Sequence, residues 1–178
     1  MLQHTQRLVE AFDPGPDARA AAAKWRILDL LRAGPSVFTR AHYDPGHITA
    51  SAIVISERGD EVLLVFHKRL ARWLQPGGHI DPGDHDTLAA ARREVLEETG
   101  VLVGDDVALI GLDVHAIPAA RGEPDHLHHD LVFRMRACTT ALQVSEESTD
   151  VRWCAVTTLE DLKPDAALRS AVARATTE

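Results

Sequence analysis

The chain is short of thiols, of positive charge and of long apolar runs. Its only two cysteines in 178 residues, Cys138 and Cys154, show no metal-ligand spacing, so no disulfide framework is expected. Lys and Arg number 19 against 27 Asp and Glu, for a net charge of −8 and a pI near 5.6. That balance argues against a nucleic-acid partner, because neutralising its backbone takes clustered cations. No apolar run approaches the roughly 18 residues of a membrane span, and no basic stretch leads into an apolar leader. No membrane partner is therefore expected, and the default location is cytoplasmic. Repeats and low-complexity tracts are also missing, apart from a bias toward alanine. What remains is ordinary globular material, 45% hydrophobic and 26% charged. A chain of this length is expected to form one domain that buries roughly 70% of its unfolded surface.

The stretch WLQPGGHIDPGDHDTLAAARREVLEETGV, residues 73–101, organises the chain. Its second half reads as a helix that stops at Gly100, where a left-handed cap residue belongs. On that helix Glu94, Glu97 and Glu98 stand at i, i+3 and i+4, so all three carboxylates project from one face. A helix built only for solubility would more often alternate Glu with Lys. The natural neutraliser of three clustered carboxylates is a hard divalent cation. Upstream, Pro76-Gly77-Gly78 supplies a side-chain-free bend where backbone can approach a ligand. A glycine turn, a loop and an acidic helix make a plan for holding Mg²⁺ against a phosphate.

At these residues the chain resembles the Nudix hydrolases, the MutT-like family. Their box reads G-x5-E-x7-R-E-U-x-E-E-x-G-U, with U aliphatic. Arg93, Glu94, Val95, Glu97, Glu98, Gly100 and Val101 match its second half without a gap. The first half departs twice: Asp84 stands where the family usually has Glu, and eight residues rather than seven separate it from Arg93. The extra residue falls in the loop, where insertions cost little. Asp84 keeps the charge with a shorter reach and also suits a helix N-cap.

Before the box, His4–Phe12 and Ala18–Ala33 read as helices. Asp17 would cap the second, and Trp25, Leu28 and Leu31 would form its apolar stripe. This segment is expected to cover the sheet or join a homodimer. Ile48–Ser56 and Glu61–His67, around the turn Glu57–Asp60, read as a hairpin. Lys68, Arg69 and Arg72 precede the glycine bend, where surface solvation competes with contacts to phosphate oxygens. After the box, Val107–Ile117, Leu127–Ala137 and Val151–Val156 read as strands. A short helix near 159–162 and a terminal helix from Asp165 follow.

His126, His128 and His129 look like a metal cluster, yet alternation puts His129 on the opposite strand face and no cysteine joins them. Hydrogen-bonded or solvated roles are the expectation there. His79, next to Gly78, is a candidate to meet phosphate or to orient a carboxylate. Trp73 and Trp153 read as packing anchors rather than as stacking platforms for a base.

The resemblance implies an α+β fold, an αβα sandwich with a mixed β-sheet. Residues 1–34 would be an N-terminal helical extension and residues 35–178 the Nudix hydrolase domain. It also implies a metal-dependent pyrophosphohydrolase that cleaves a nucleoside diphosphate linked to another moiety. Mg²⁺, or alternatively Mn²⁺, would be held by Glu94, Glu97, Glu98 and the Gly77 carbonyl. Glu94, Glu97, Arg93 and Glu147 would be catalytic, with Glu146 an alternative to Glu147. His79 and Arg69 would bind substrate, and Arg93 would tie loop to helix through Asp84 or Glu97. Two alternatives stand beside this. One is a catalytically weak Nudix-fold nucleotide-binding or sensing module. The other, disfavoured because neither cysteine lies near the box in sequence, is an isoprenyl diphosphate isomerase.

Overall fold

The computed structural model of the protein describes residues 1–120, 122–145 and 148–177. Its centre is β1 (Gly46–Ile55), buried along its whole length. Eight consecutive residues from Ile48 to Ile55 are apolar or small, as befits a strand covered on both faces. The other strands are β2 (Glu61–His67), β3 (Arg72–Leu74), β4 (Gly77–His79), β5 (Val103–Ile117), β6 (His126–Ala137) and β7 (Ser148–Ala155). The sheet runs β3-β2-β1-β6-β5, with β4 added to β1 and β7 to β2. β1 and β6 are parallel while every other pairing is antiparallel, so the sheet is mixed.

Alternation along β1 sorts two cores. Ile48, Ala50, Ala52 and Val54 pack with residues of α1 (Leu2–Ala11), α2 (Ala18–Leu31) and α3 (Thr87–Thr99). Ile53 and Ile55 pack on the other face with Leu168, Ala171 and Val172 of α4 (Ala166–Thr176). Helices on both faces of a mixed sheet make the αβα sandwich. None of the helices among the described residues is long and apolar enough to cross a membrane.

Three local expectations need correction. The residues between β1 and β2 do turn back, but the two strands pair only at Ile55 and Val62. β2 instead spends its hydrogen bonds on β7 and β3, which leaves the edge of β1 open to β4. In α2 the buried stripe is Ala20, Ala23, Ile27, Leu30 and Leu31, and Trp25 is 70% exposed. Small alanines let the helix lie close to the sheet, and the bulkiest apolar residue falls outside the stripe. Finally, the cap of α3 is Asp86, whose Oδ1 accepts the Ala89 N–H at 2.8 Å, rather than Asp84.

Candidate active site

α3 carries the acidic cluster and is fixed at both ends, by Asp86 and by Gly100 at φ 73°. Its buried stripe runs Thr87, Ala91, Val95 and Glu98, so Glu98 continues the apolar face and is driven inward. Only 7% of Glu98 is exposed, whereas 59% of the Glu97 side chain is. A buried carboxylate must be satisfied, and the Gly77 N–H donates to Glu98 Oε2 at 2.9 Å.

The glycine bend permits this approach. Gly77 pairs with Ser51 in the β4–β1 ladder at φ 157°, and a Cβ there would lie 2.3 Å from the Ser51 Cβ. A Cβ on Gly78 would lie 2.7 Å from Glu94 Oε1. Adjacent glycines thus receive adjacent turns of the helix, Glu98 on Gly77 and Glu94 on Gly78. A side chain at Gly77 would meet the β1 backbone, and one at Gly78 would displace the Glu94 carboxylate.

Arg93 clamps the surrounding loop. Its Nε and Nη2 donate to the two oxygens of Asp84 at 3.2 and 3.0 Å, a bidentate grip. Nη2 also donates to the His79 carbonyl at 2.9 Å. Nη1 donates to Glu94 and Glu97, both at 2.9 Å. The expected choice between Asp84 and Glu97 is therefore resolved as both. Burial alone would raise the Asp84 carboxyl, but the Arg93 hydrogen bonds and charge, with the Asp81 N–H, outweigh it and hold the group below its usual range. The longer loop and shorter acid are compatible with one compact clamp.

The three glutamates divide rather than close round one point. Glu94 and Glu98 lie against the bend, and Glu97 lies outside it on Arg93. Among the described residues, the only His, Cys, Asp or Glu trio with ligand atoms within 4.8 Å of one another is His47, His126 and His128. Carboxylate oxygens beside a side-chain-free backbone nonetheless match a hard cation. Glu146 and Glu147 lie outside the described residues. Arg69 is exposed in the turn between β2 and β3. Arg72 pairs with Asp165 at 3.0 Å, and Trp73 packs edge-on to Phe66 with Arg152 over its ring.

His79 faces away from the glutamates, as alternation after Gly78 requires. Its ring lies 5.0 Å from that of His47 and 5.2 Å from that of His128. Burial, then the neighbouring His47, pushes it down to about 4, so it is neutral at pH 7. Burial likewise pushes His47 to about 4 and His128 to about 2. Deeper on this face Asp130 is raised by burial; it accepts the Thr49 and Ser51 hydroxyls at 2.9 and 2.6 Å. Sequence reasoning passed over His47, Thr49, Ser51 and Asp130. Their signal is period two: His47, Thr49 and Ser51 share one face of β1, and His126, His128 and Asp130 share the matching face of β6.

Comparison with known proteins agrees with this construction. The NUDIX domain family model matches residues 45–175. The chain is 29% identical over 108 residues to bis(5'-nucleosyl)-tetraphosphatase [asymmetrical] of Rattus norvegicus, covering 57% of this chain and 72% of that one. It is 46% identical over 63 residues to diphosphoinositol polyphosphate phosphohydrolase 3-beta of Bos taurus, covering 33% of this chain and only 38% of that relative. Among solved structures, the MutT protein from Bacillus halodurans superposes with a TM-score of 0.54 at 26% identity, over 69% of this chain and 76% of that one. The Nudix domain of Shewanella oneidensis NrtR, solved with ADP ribose, gives a TM-score of 0.57 at 20% identity, over 72% and 84% respectively, a likeness of fold. With its box folded as a glycine bend against an acidic helix and most of its length matched, the chain belongs to the Nudix family of hydrolases acting on diphosphate bonds.

Proposed function

We propose that the chain is a Mg²⁺-dependent pyrophosphohydrolase that cleaves a nucleoside diphosphate linked to another moiety. The observation that carries this is the pairing of Glu98 with Gly77 and Glu94 with Gly78, which sets two carboxylates beside side-chain-free backbone. Glu94, Glu98 and the Gly77 carbonyl would hold the ion, with Glu97 sharing in coordination from the outer side. The ion would supply neutralisation of the phosphate oxygens and a more acidic water at neutral pH. The rest falls to the chain. Arg93 keeps Glu94 and Glu97 in place while its other nitrogens fasten Asp84 and the His79 carbonyl. Holding those groups before substrate arrives lowers the cost of ordering them in the transition state. Arg69, by its place in the sequence before the bend, would meet phosphate, and Glu147, or Glu146 in its stead, would be the assisting base. The reaction adds water across one phosphoric anhydride and leaves two phosphorylated products.

The relatives' names support the reaction class and spread over several substrates: a bis(5'-nucleosyl) tetraphosphate, a diphosphoinositol polyphosphate and 8-oxo-dGTP. A panel of these, with ADP-ribose and other nucleoside diphosphate conjugates, assayed with Mg²⁺ and with Mn²⁺, tests the proposal by release of phosphate or monophosphate. Turnover of at least one nucleoside diphosphate conjugate, lost on chelation, is expected. Tight binding without turnover across the panel would overturn it in favour of a nucleotide-sensing module.

A further inference from the structure

Four histidines from three strands meet on the sheet face turned away from the box glutamates. His47 lies on β1, His79 on β4, and His126 and His128 on β6. His47 lies 5.0 Å from His126 and 4.9 Å from His128 by ring centroids, and His126 lies 5.2 Å from His128. The parallel register explains the meeting, since His47 is the direct partner of His128 and parallel partners point to the same face. His126 precedes His128 by two residues and so shares its face. Along this face of β1 the next residues are Thr49 and Ser51, and apolar packing under α4 begins only at Ile53.

The hydrogen bonds fix how the rings present themselves. His47 Nδ1 contacts the His42 carbonyl at 3.2 Å and His126 Nδ1 the Pro124 carbonyl at 2.8 Å. A carbonyl can only accept, so each Nδ1 is the donor, and in the neutral ring the lone pair then lies on Nε2. Metal-ligating histidines are held in this way, by a backbone acceptor on the second nitrogen. The Nε2 atoms of His47 and His128 are buried without a hydrogen-bond partner, an expensive arrangement for a polar ring nitrogen. One ring nitrogen from each of His47, His126 and His128 lies within 4.8 Å of the others. Nitrogens bound to one zinc at ~2.0–2.1 Å stand closer than that limit, and ring rotation can bring them in.

We propose that His47, His126 and His128 form a binding site for a borderline first-row cation of the Zn²⁺ type, distinct from the carboxylate site of the box. Imidazole nitrogens select such ions, whereas Mg²⁺ takes oxygen ligands, so the two sites sort different metals. Three protein ligands leave a fourth position for an exogenous ligand, and the His79 ring flanks the site. The ion would tie β1 to β6. The reasoning does not depend on what the box hydrolyses. Asp113 and Asp130 stay outside the set, the first bonded to His115 and the second to Thr49 and Ser51.

The test uses metal-free full chain titrated with Co²⁺ under a large excess of Mg²⁺. The expected result is one tightly held Co²⁺ per chain with the intense visible bands of four-coordinate cobalt. Glu94→Gln/Glu98→Gln should keep that spectrum, while His126→Asn and His47→Asn should each weaken binding at least tenfold. X-ray absorption on zinc-loaded wild-type protein needs no variant and is expected to show three imidazoles. No Co²⁺ bound in the presence of Mg²⁺, a zinc shell without imidazole, or binding lost with the glutamates and kept without His126 would each overturn the proposal. Failure of the substrate panel would leave these readouts untouched.

Discussion

Glu98 Oε2 accepts the main-chain N–H of Gly77 at 2.9 Å, so the most buried acid of α3 is joined to the bend through backbone. The scaffold thereby fixes the carboxylate through which Glu98 would act. Glu98→Gln keeps an oxygen that can accept from Gly77 while removing the charge. The melting temperature should change little, and turnover of the best substrate should fall by several orders of magnitude. Steady-state kinetics beside a thermal melt separates the two effects, and wild-type rates would remove Glu98 from the machinery.

The paired glycines should respond differently to one added methyl. Gly78→Ala presses a Cβ against the Glu94 carboxylate, the end of a side chain that can swing aside. The expected outcome is a folded protein, destabilised by about 1–2 kcal/mol, with Glu94 displaced and activity largely gone. Gly77→Ala meets Ser51 Cβ and backbone at a positive φ, where nothing can yield cheaply. Denaturant titration should show a loss larger than that of Gly78→Ala. Equal losses would mean that β4 is not seated on β1 as described.

Arg93→Lys tests whether geometry or charge matters in the clamp. Lysine keeps the charge but cannot grip Asp84 with two parallel hydrogen bonds while reaching Glu94, Glu97 and His79. A stability loss of about 2 kcal/mol is expected from the forfeited charge-assisted bonds. Turnover should fall further than that loss explains, because the glutamates lose their orientation. Urea unfolding and kcat of the same preparation give both numbers.

The box was legible because its chemistry is local: one turn of helix spaces the carboxylates, and Gly100 and the paired glycines mark the boundaries. The histidine face was not, because His47 and His128 lie far apart in the chain and meet only through the β1–β6 register. Strands β3 and β4 escaped notice for a related reason, being three residues each and defined by their partners rather than by a pattern of their own. Propensity likewise placed helix α2 correctly while bulk pointed to the wrong face. Trp25 looks like an anchor by size, yet Ile27 is the fully buried residue of that helix.

That last distinction is measurable. Trp25→Ser should leave stability within about 0.5 kcal/mol, since the ring is mostly in solvent. Ile27→Ala removes buried volume between α2 and the sheet and should cost about 2–4 kcal/mol. Chemical denaturation of the two variants decides between them. A large loss at Trp25 would indicate that the residue is covered in solution, as a subunit interface would cover it.

Asp17 offers a prediction in pH. Its Oδ1 caps α2 through the Arg19 and Ala20 N–H groups, and its Oδ2 accepts the Ser170 hydroxyl of α4 at 2.7 Å. The Ser170 hydrogen bond, with the cap bonds, lowers the carboxyl below its ordinary 3.8, against a smaller opposing effect of burial. In the folded state the group therefore binds fewer protons than in the unfolded state at the same acidity. Its stabilisation is in full force above the unfolded pKa near 3.8 and fades as pH falls through the lower folded value. Asp17→Ala should cost about 1 kcal/mol at neutral pH, the usual worth of a cap. Asp17→Asn keeps an acceptor for the cap without a charge and should cost less. The gap between wild type and Asp17→Asn, followed by denaturant titration from pH 7 downward, should stay constant to about pH 5 and then narrow. A gap that widens on acidification would mean that Asp17 is protonated in the folded chain and that the α2–α4 contact is not made by a carboxylate.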